Sequence, residues 1–168
     1  MKNVFIVIGI VVILAVVFLF FLGRNGEDIP EDVEEITFAS VNLYYPNSEV
    51  ADEIGDVCSP ESVIAIEREI PSTISPIRDT IELLIQGELT EEEIEDGFST
   101  EFPDNGFSLE GVNLSEGILT LEFNDENNFS TGGSCSVGLL SAQVFKTAMQ
   151  FDEVNEVRII PEDELFQP

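Results

Sequence analysis

The chain opens with one long apolar stretch, and the rest alternates between short apolar patterns and polar breaks. Residues 4–22 carry no charged or polar side chain, and about 20 apolar residues suffice for a helix to cross a bilayer. We therefore expect one transmembrane anchor at 4–23 after a cytoplasmic N-terminus at 1–3. An acidic tether at 24–35 then leads to a folded domain at 36–168.

A cleaved signal peptide is the alternative interpretation of the apolar stretch. Its end, from Phe18 to Gly23, lacks the small-residue site at which signal peptides are cut. No cysteine follows it that could carry a lipid. Lys2 and Arg24 nearly balance the flanking positive charge, but a short tail before a first span usually stays inside. We expect a single-pass protein of the plasma membrane with its C-terminal domain outside the cytoplasm.

Beyond residue 36, apolar side chains recur with the period of two typical of strands or about 3.6 typical of helices. Pro76 and Gly87 mark the two ends of one helix, and Thr90 with Glu93 forms the capping box of another. The predicted elements are a strand at Ala39–Tyr45, a strand at Val63–Ile70, helices at Pro76–Gln86 and after Thr90, strands at Phe107–Leu114 and Ile118–Phe123, a helix from about Ser136 and a strand at Val154–Ile160.

This β-β-α-α-β-β-α-β order predicts an α+β domain in which one mixed β-sheet carries its helices on one face. Ser115-Glu116-Gly117 suits a three-residue hairpin connection with a bulge, and residues 47–62 are predicted to form a loop. One shared core is expected to contain the following ten apolar residues: Val41, Leu43, Ile64, Ile66, Ile81, Leu84, Leu121, Phe123, Val144 and Val157.

The folded part is strongly acidic. All 34 acidic residues follow position 24, against four basic ones there, which gives that part a net charge of −30. Nucleic acid is excluded as a partner, because phosphate binding needs clustered lysine and arginine. The charge serves solubility, or it attracts a basic partner or divalent cations.

The residue types present restrict the possible chemistry. The chain has no histidine, which removes the commonest general base and metal ligand and excludes Ser-His-Asp and Cys-His catalysis. No phosphate-binding glycine loop occurs. A pair of carboxylates acting as acid and base is possible in principle, and the loop Asn124–Asn128 offers oxygen ligands but departs from the EF-hand pattern. We assign no catalytic, cofactor-binding or metal-binding residue.

Cys58 and Cys135 are the only cysteines. In a domain outside the cytoplasm, an even cysteine count predicts a disulfide between them. Two separate free thiols are the alternative. Cys135 at a helix start could also be a reactive thiolate, but it has no basic neighbour and the acidic surroundings would raise its pKa.

A series of short motifs recurs in a characteristic order along the folded part. They are Val41–Tyr45, Ile66–Pro71, Ile81–Gly87, Thr90–Glu93 with Gly97, Phe98-Ser99, Phe102-Pro103, Gly132–Cys135, Gln143, Thr147, Gln150-Phe151, Val154 and Val157. Together they resemble the GerMN domain family of sporulation and spore-germination proteins. The resemblance covers about Val41 to Ile160, and Glu88 departs from it where the family pattern has proline.

The resemblance implies a compact domain that is secreted or tethered outside a bacterial membrane, and it implies no catalytic residue. Such domains occur in envelope and sporulation proteins, including assemblies of membrane rings. Two function classes follow. The first is a non-enzymatic envelope module that binds a protein partner or a second copy of itself, and the second binds or hydrolyses cell-wall glycan through carboxylates.

Overall fold

The computed structural model describes residues 37–161 and 165–166. The predicted anchor and tether lie outside these residues. In the part described, no helix is long and apolar enough to cross a membrane. All of the described residues fall in one compact unit, Ile36–Pro168.

Strands and helices follow the predicted order, with one addition. The strands are β1 (Phe38–Pro46), β2 (Val63–Pro71), β3 (Phe107–Ser115), β4 (Ile118–Asp125) and β5 (Glu156–Ile160). The α-helices are α1 (Ser48–Ile54), α2 (Pro76–Gln86), α3 (Glu91–Glu95) and α4 (Ser134–Ala148), and a 3₁₀ turn spans Pro60–Ser62.

Helix α1 lies where the sequence predicted only a loop. The side chain of Asn47 accepts a hydrogen bond from the Val50 backbone N–H at 3.1 Å, which caps the helix start. Gly55 ends the helix with a left-handed backbone at φ 79°. Ala51 is its one buried residue, so the helix has no apolar stripe that could have predicted it.

The strands form two sheets, and the prediction of a single sheet is wrong. β1 pairs antiparallel with β2 alone, with Leu43 opposite Ile66. In the second sheet, β4 pairs antiparallel with β3 and parallel with β5. The α+β class and the mixed sheet are confirmed. Helix α2 contacts strands of both sheets and also packs on α4, so this helix joins two sheets instead of covering the face of one.

The β3–β4 hairpin differs from its prediction by one residue. Ser115 pairs with Ile118, so the connection contains only Glu116 and Gly117. Both have positive φ, 53° and 82°, as a type I′ turn requires. The bulge lies elsewhere, at Glu110, where the register shifts between Leu109 and Gly111.

The core lies around α2 and α4, between the sheets. Seven of the ten predicted core residues are buried. The other three, Ile64, Ile66 and Val157, are half-buried. They lie on β2 and β5, each of which pairs with one strand only. The buried Val41 and Leu43 lie on β1, which helix α4 packs against more extensively than it does against β2.

Candidate binding site

The two edges of the β1–β2 sheet differ in what covers them. Along β1, the Gln150 amide accepts from the Asn42 N–H at 2.7 Å and donates to the Asn42 carbonyl at 2.8 Å. Thr147 accepts from the Tyr44 N–H at 3.2 Å. These side chains take the place of a neighbouring strand, so the outer edge of β1 is closed.

Because Asn42 and Tyr44 point their backbone groups away from β2, their cross-strand partners Glu67 and Ala65 point theirs away from β1. Glu69 has the same orientation, two residues further along. We call these outward groups of Ala65, Glu67 and Glu69 the open edge of β2. The only side chain found against it in the described structure is Arg68, which donates to the Glu67 carbonyl at 3.2 Å.

The open edge begins after Val63, because the side chain of Lys146 binds the backbone there. The Lys146 ammonium donates to the carbonyls of Pro60 and Val63 at 2.7 and 2.8 Å. It thereby occupies the first outward carbonyl of β2. The three residues of the open edge therefore lie between this lysine and the end of the strand.

A groove of about 740 Å³ lies beside the inner face of β2. Its apolar surface comes from half-buried Leu83 of α2 and half-buried Leu89, and its exposed acids are Glu69 and Glu88. We call it the β2 groove. Its complete lining is Leu43, Arg68, Glu69, Leu83, Gln86, Gly87, Glu88, Leu89, Thr90 and Pro103.

A second groove of about 340 Å³ shares Leu83 and Gln86 with the β2 groove. It continues along α2 past Ile70 and adds the carboxylates of Asp79 and Glu82. Both grooves thus combine an apolar surface with acidic side chains. A smaller pocket of about 270 Å³ lies between Ile74 and Leu114, beside β3, which is an edge strand of the second sheet.

Arg68 is the one cation in the lining of the β2 groove, and it is paired with Glu93. The guanidinium contacts the two carboxylate oxygens at 2.6 and 2.8 Å. The hydrogen bond from Arg68 holds the pKa of Glu93 below its usual range, and the backbone N–H of Thr90 adds to the effect. Since Arg68 is neutralised by this pair, the carboxylates of the groove dominate its electrostatics.

Tyr45 lies fully buried in the core close to this ion pair. Its hydroxyl donates to the Leu84 carbonyl at 3.3 Å. Burial raises the pKa of Tyr45 to about 12, because a phenolate would lose its hydration there. The hydroxyl therefore stays protonated at physiological pH and acts as a structural donor.

Tyr45→Phe is expected to remove part of the alkaline sensitivity of the fold. The pKa of tyrosine is near 10 in the unfolded chain, and that of Tyr45 is about 12 in the folded protein. The protonated hydroxyl of Tyr45 therefore contributes its full stabilisation of the fold below pH 10, and this stabilisation is lost as the pH rises to 12. This loss is about 3 kcal/mol for two pH units. Urea unfolding of both proteins from pH 8 to 12 measures it. Parallel stability curves would contradict the assignment.

The remaining predicted site residues lie outside the β2 groove. Cys58 and Cys135 form a disulfide, with a Cα–Cα distance of 4.9 Å, between the segment before β2 and the first turn of α4. In the loop after β4, the Asp125 carboxylate accepts from the Phe129 N–H and from the N–H and hydroxyl of Ser130, at 2.7 to 2.9 Å. That carboxylate therefore organises a turn. No cluster of three metal-ligating side chains occurs among residues 37–161 and 165–166.

Sequence analysis had not singled out the open edge of β2. A partial signal for it exists, since Ile64, Ile66 and Ile70 fall on one face of the strand and Glu67 and Glu69 on the other. Alternation of apolar and polar residues indicates that one face of a strand is exposed to solvent, but it does not show which strand lies at the edge of a sheet. Gln150 and Thr147, by contrast, were noted only as part of the resemblance. The structure shows them closing the edge of β1.

Comparison with known proteins identifies the family. A search of curated proteins found no match. Among solved structures, the first GerMN domain of the sporulation protein GerM from Bacillus subtilis superposes with a TM-score of 0.52 and 21% identity. That match covers 73% of this chain and 84% of the other.

The tandem GerMN domains of the same Bacillus subtilis protein superpose with a TM-score of 0.52 and 18% identity, over 77% of this chain. The chain spans 42% of that longer structure. Because the sequence identities are only 21% and 18%, these two superpositions support the fold alone. The family model described as "Germane: Sporulation and spore germination" matches residues 42–164, most of the chain. The chain therefore belongs to the Germane family, which is linked to sporulation and spore germination.

Proposed function

We propose that this protein is a membrane-anchored module of the bacterial cell envelope that acts by binding a protein partner and not by catalysis. In this proposal residues 4–23 anchor the chain, and residues 36–168 work outside the cytoplasm. The open edge of β2 carries the proposal, since a strand edge without a neighbouring strand, beside a partly apolar groove, is a surface that proteins use to bind one another. The family and the apolar stretch at 4–22 support the location.

The competing function, hydrolysis of cell-wall glycan, has less support in the groove. A glycosidase needs one carboxylic acid whose pKa is raised, so that it can protonate the leaving group. The pKa of Glu93, the acid that borders the groove through Arg68, is lowered. Its carboxylate is therefore suited to holding Arg68 and not to donating a proton.

Protease added to spheroplasts that express the full chain tests the proposed location. We expect the domain at 36–168 to be digested, while a cytoplasmic marker protein stays intact. Protection of the domain would contradict the orientation.

A second experiment tests for catalysis. The full chain, purified in detergent, is incubated with cell-wall material, and the release of soluble sugar is measured. Turnover that disappears when one carboxylate is neutralised would replace the binding proposal with the enzyme.

A further inference from the structure

We infer that the partner binds by adding an extended segment to β2, and that this segment alternates apolar and basic residues. The inference rests on the proposed function, to which it adds the binding mode and the chemistry of the partner. Hydrogen bonds would run between the partner backbone and the open edge of β2. Side chains on one face of the segment would enter the β2 groove, and those on the other face would meet the exposed acids of β2.

Hydrogen bonding is available because no second strand pairs with the open edge in the described structure, where the Glu67 carbonyl alone has a side-chain partner, Arg68. Ala65, Glu67 and Glu69 each present one N–H and one carbonyl outward, every second residue, which is the spacing that an added strand requires. The matching edge of β1 is already closed by Gln150 and Thr147. Strand addition to this sheet is therefore directed to β2.

The two faces of β2 select different side chains on an added strand. Toward the core, half-buried Ile66 and the leucines of the β2 groove leave apolar surface that an adjacent apolar residue would cover. Toward solvent, Glu67 and Glu69 would lie beside the opposite set of residues. Opposite charges stabilise cross-strand pairs, so lysine or arginine is favoured at those positions.

Charge also argues against a second copy of this chain as the occupant. Antiparallel pairing of two β2 edges would bring Glu67 and Glu69 of one copy beside the same acids of the other. Like charges directly opposite each other destabilise a strand pair, and the acidic part of each chain carries a net charge of −30. Charged side chains on an edge strand are a common barrier to self-pairing. The occupant is therefore a different, basic chain.

A synthetic peptide of nine residues, the length of β2, tests the inference. In it valine and lysine alternate, and a control peptide of the same composition places all valines before all lysines. Binding to the full chain in detergent is measured by fluorescence anisotropy. We expect the alternating peptide to bind at least about tenfold more tightly, and its binding to weaken as salt is added. Equal binding of the two peptides, or none, would overturn the inference.

Charge-reversal variants locate the site on the protein. Glu67→Lys with Glu69→Lys is expected to weaken the alternating peptide by about tenfold or more. Asp52→Lys with Glu53→Lys makes the same change of charge on exposed acids of α1 and should leave most of the binding intact. Equal losses would mean general attraction to an acidic protein and would refute strand addition. Thermal unfolding midpoints verify that both variants are folded.

Site-specific photo-crosslinking in the native membrane separates this inference from the proposed function. A crosslinker at position 67 should capture a protein partner, and one at position 52 should not. Capture from position 52 alone would overturn strand addition to β2 and leave the binding function standing. Absence of any protein adduct, together with turnover of cell-wall material, would overturn both.

Discussion

Replacing both cysteines, Cys58→Ser together with Cys135→Ser, is expected to lower the free energy of unfolding by about 4–5 kcal/mol. The disulfide joins residues 77 positions apart, and a cross-link over that length removes much of the conformational freedom of the unfolded chain. Urea unfolding of the full chain in detergent, followed by circular dichroism, measures the loss. A change of this size is comparable to the whole stability of many small domains.

The dependence of stability on urea concentration provides an independent check of the mechanism. An unfolded chain without the cross-link is more expanded, so its m-value should rise as the stability falls. Chemical reduction of the unmodified protein should reproduce both changes. A loss below about 1 kcal/mol with an unchanged m-value would show that the disulfide contributes little to the fold.

Local patterns in the sequence predicted most of the regular elements. The capping box of α3 is present, with Thr90 accepting from the Glu93 N–H and Glu93 accepting from the Thr90 N–H. Gly87 ends α2 in the left-handed conformation at φ 65°. Both features depend on residues a few positions apart, and such signals survive folding because tertiary contacts seldom change them.

The division into two sheets could not be predicted, because it depends on contacts far apart in the chain. Gln150 reaches Asn42 across 108 positions and occupies the edge at which another strand would have continued the sheet. A glutamine at the end of a helix has no local pattern that indicates such a role. The single-sheet prediction came from the order of the elements, which does not show which strand edges are closed.

The candidate site was unpredictable for the same reason. Its acidic character is visible in the composition, but an open strand edge can be recognised only when the pairing of all the strands is known. Arg68 illustrates the difference. The sequence places it among acidic neighbours, whereas the structure shows that Glu93, 25 positions away, neutralises it and leaves the groove acidic.

Leu84→Ala is expected to lower the free energy of unfolding by about 2–5 kcal/mol. Leu84 lies on α2 and is 0% exposed, and α2 contacts strands of both sheets. Removing its side chain leaves a cavity that close-packed neighbours on several elements fill only in part. Urea unfolding monitored by circular dichroism gives the loss, and an effect below about 1 kcal/mol would contradict the burial on which the core assignment depends.

Leu83→Ala is the matched control, because it makes the same chemical change at the next position of the same helix. Leu83 is only half-buried and lines the β2 groove. Its removal should cost less stability than that of Leu84, since less surface returns to water. It should, however, weaken the alternating valine–lysine peptide, whose binding Leu84→Ala should spare under conditions where that variant is folded. If Leu84→Ala lowers mainly stability and Leu83→Ala lowers mainly peptide binding, the core face of α2 is distinct from its groove face. If both variants change stability and binding in parallel, the groove does not receive the side chains of the peptide.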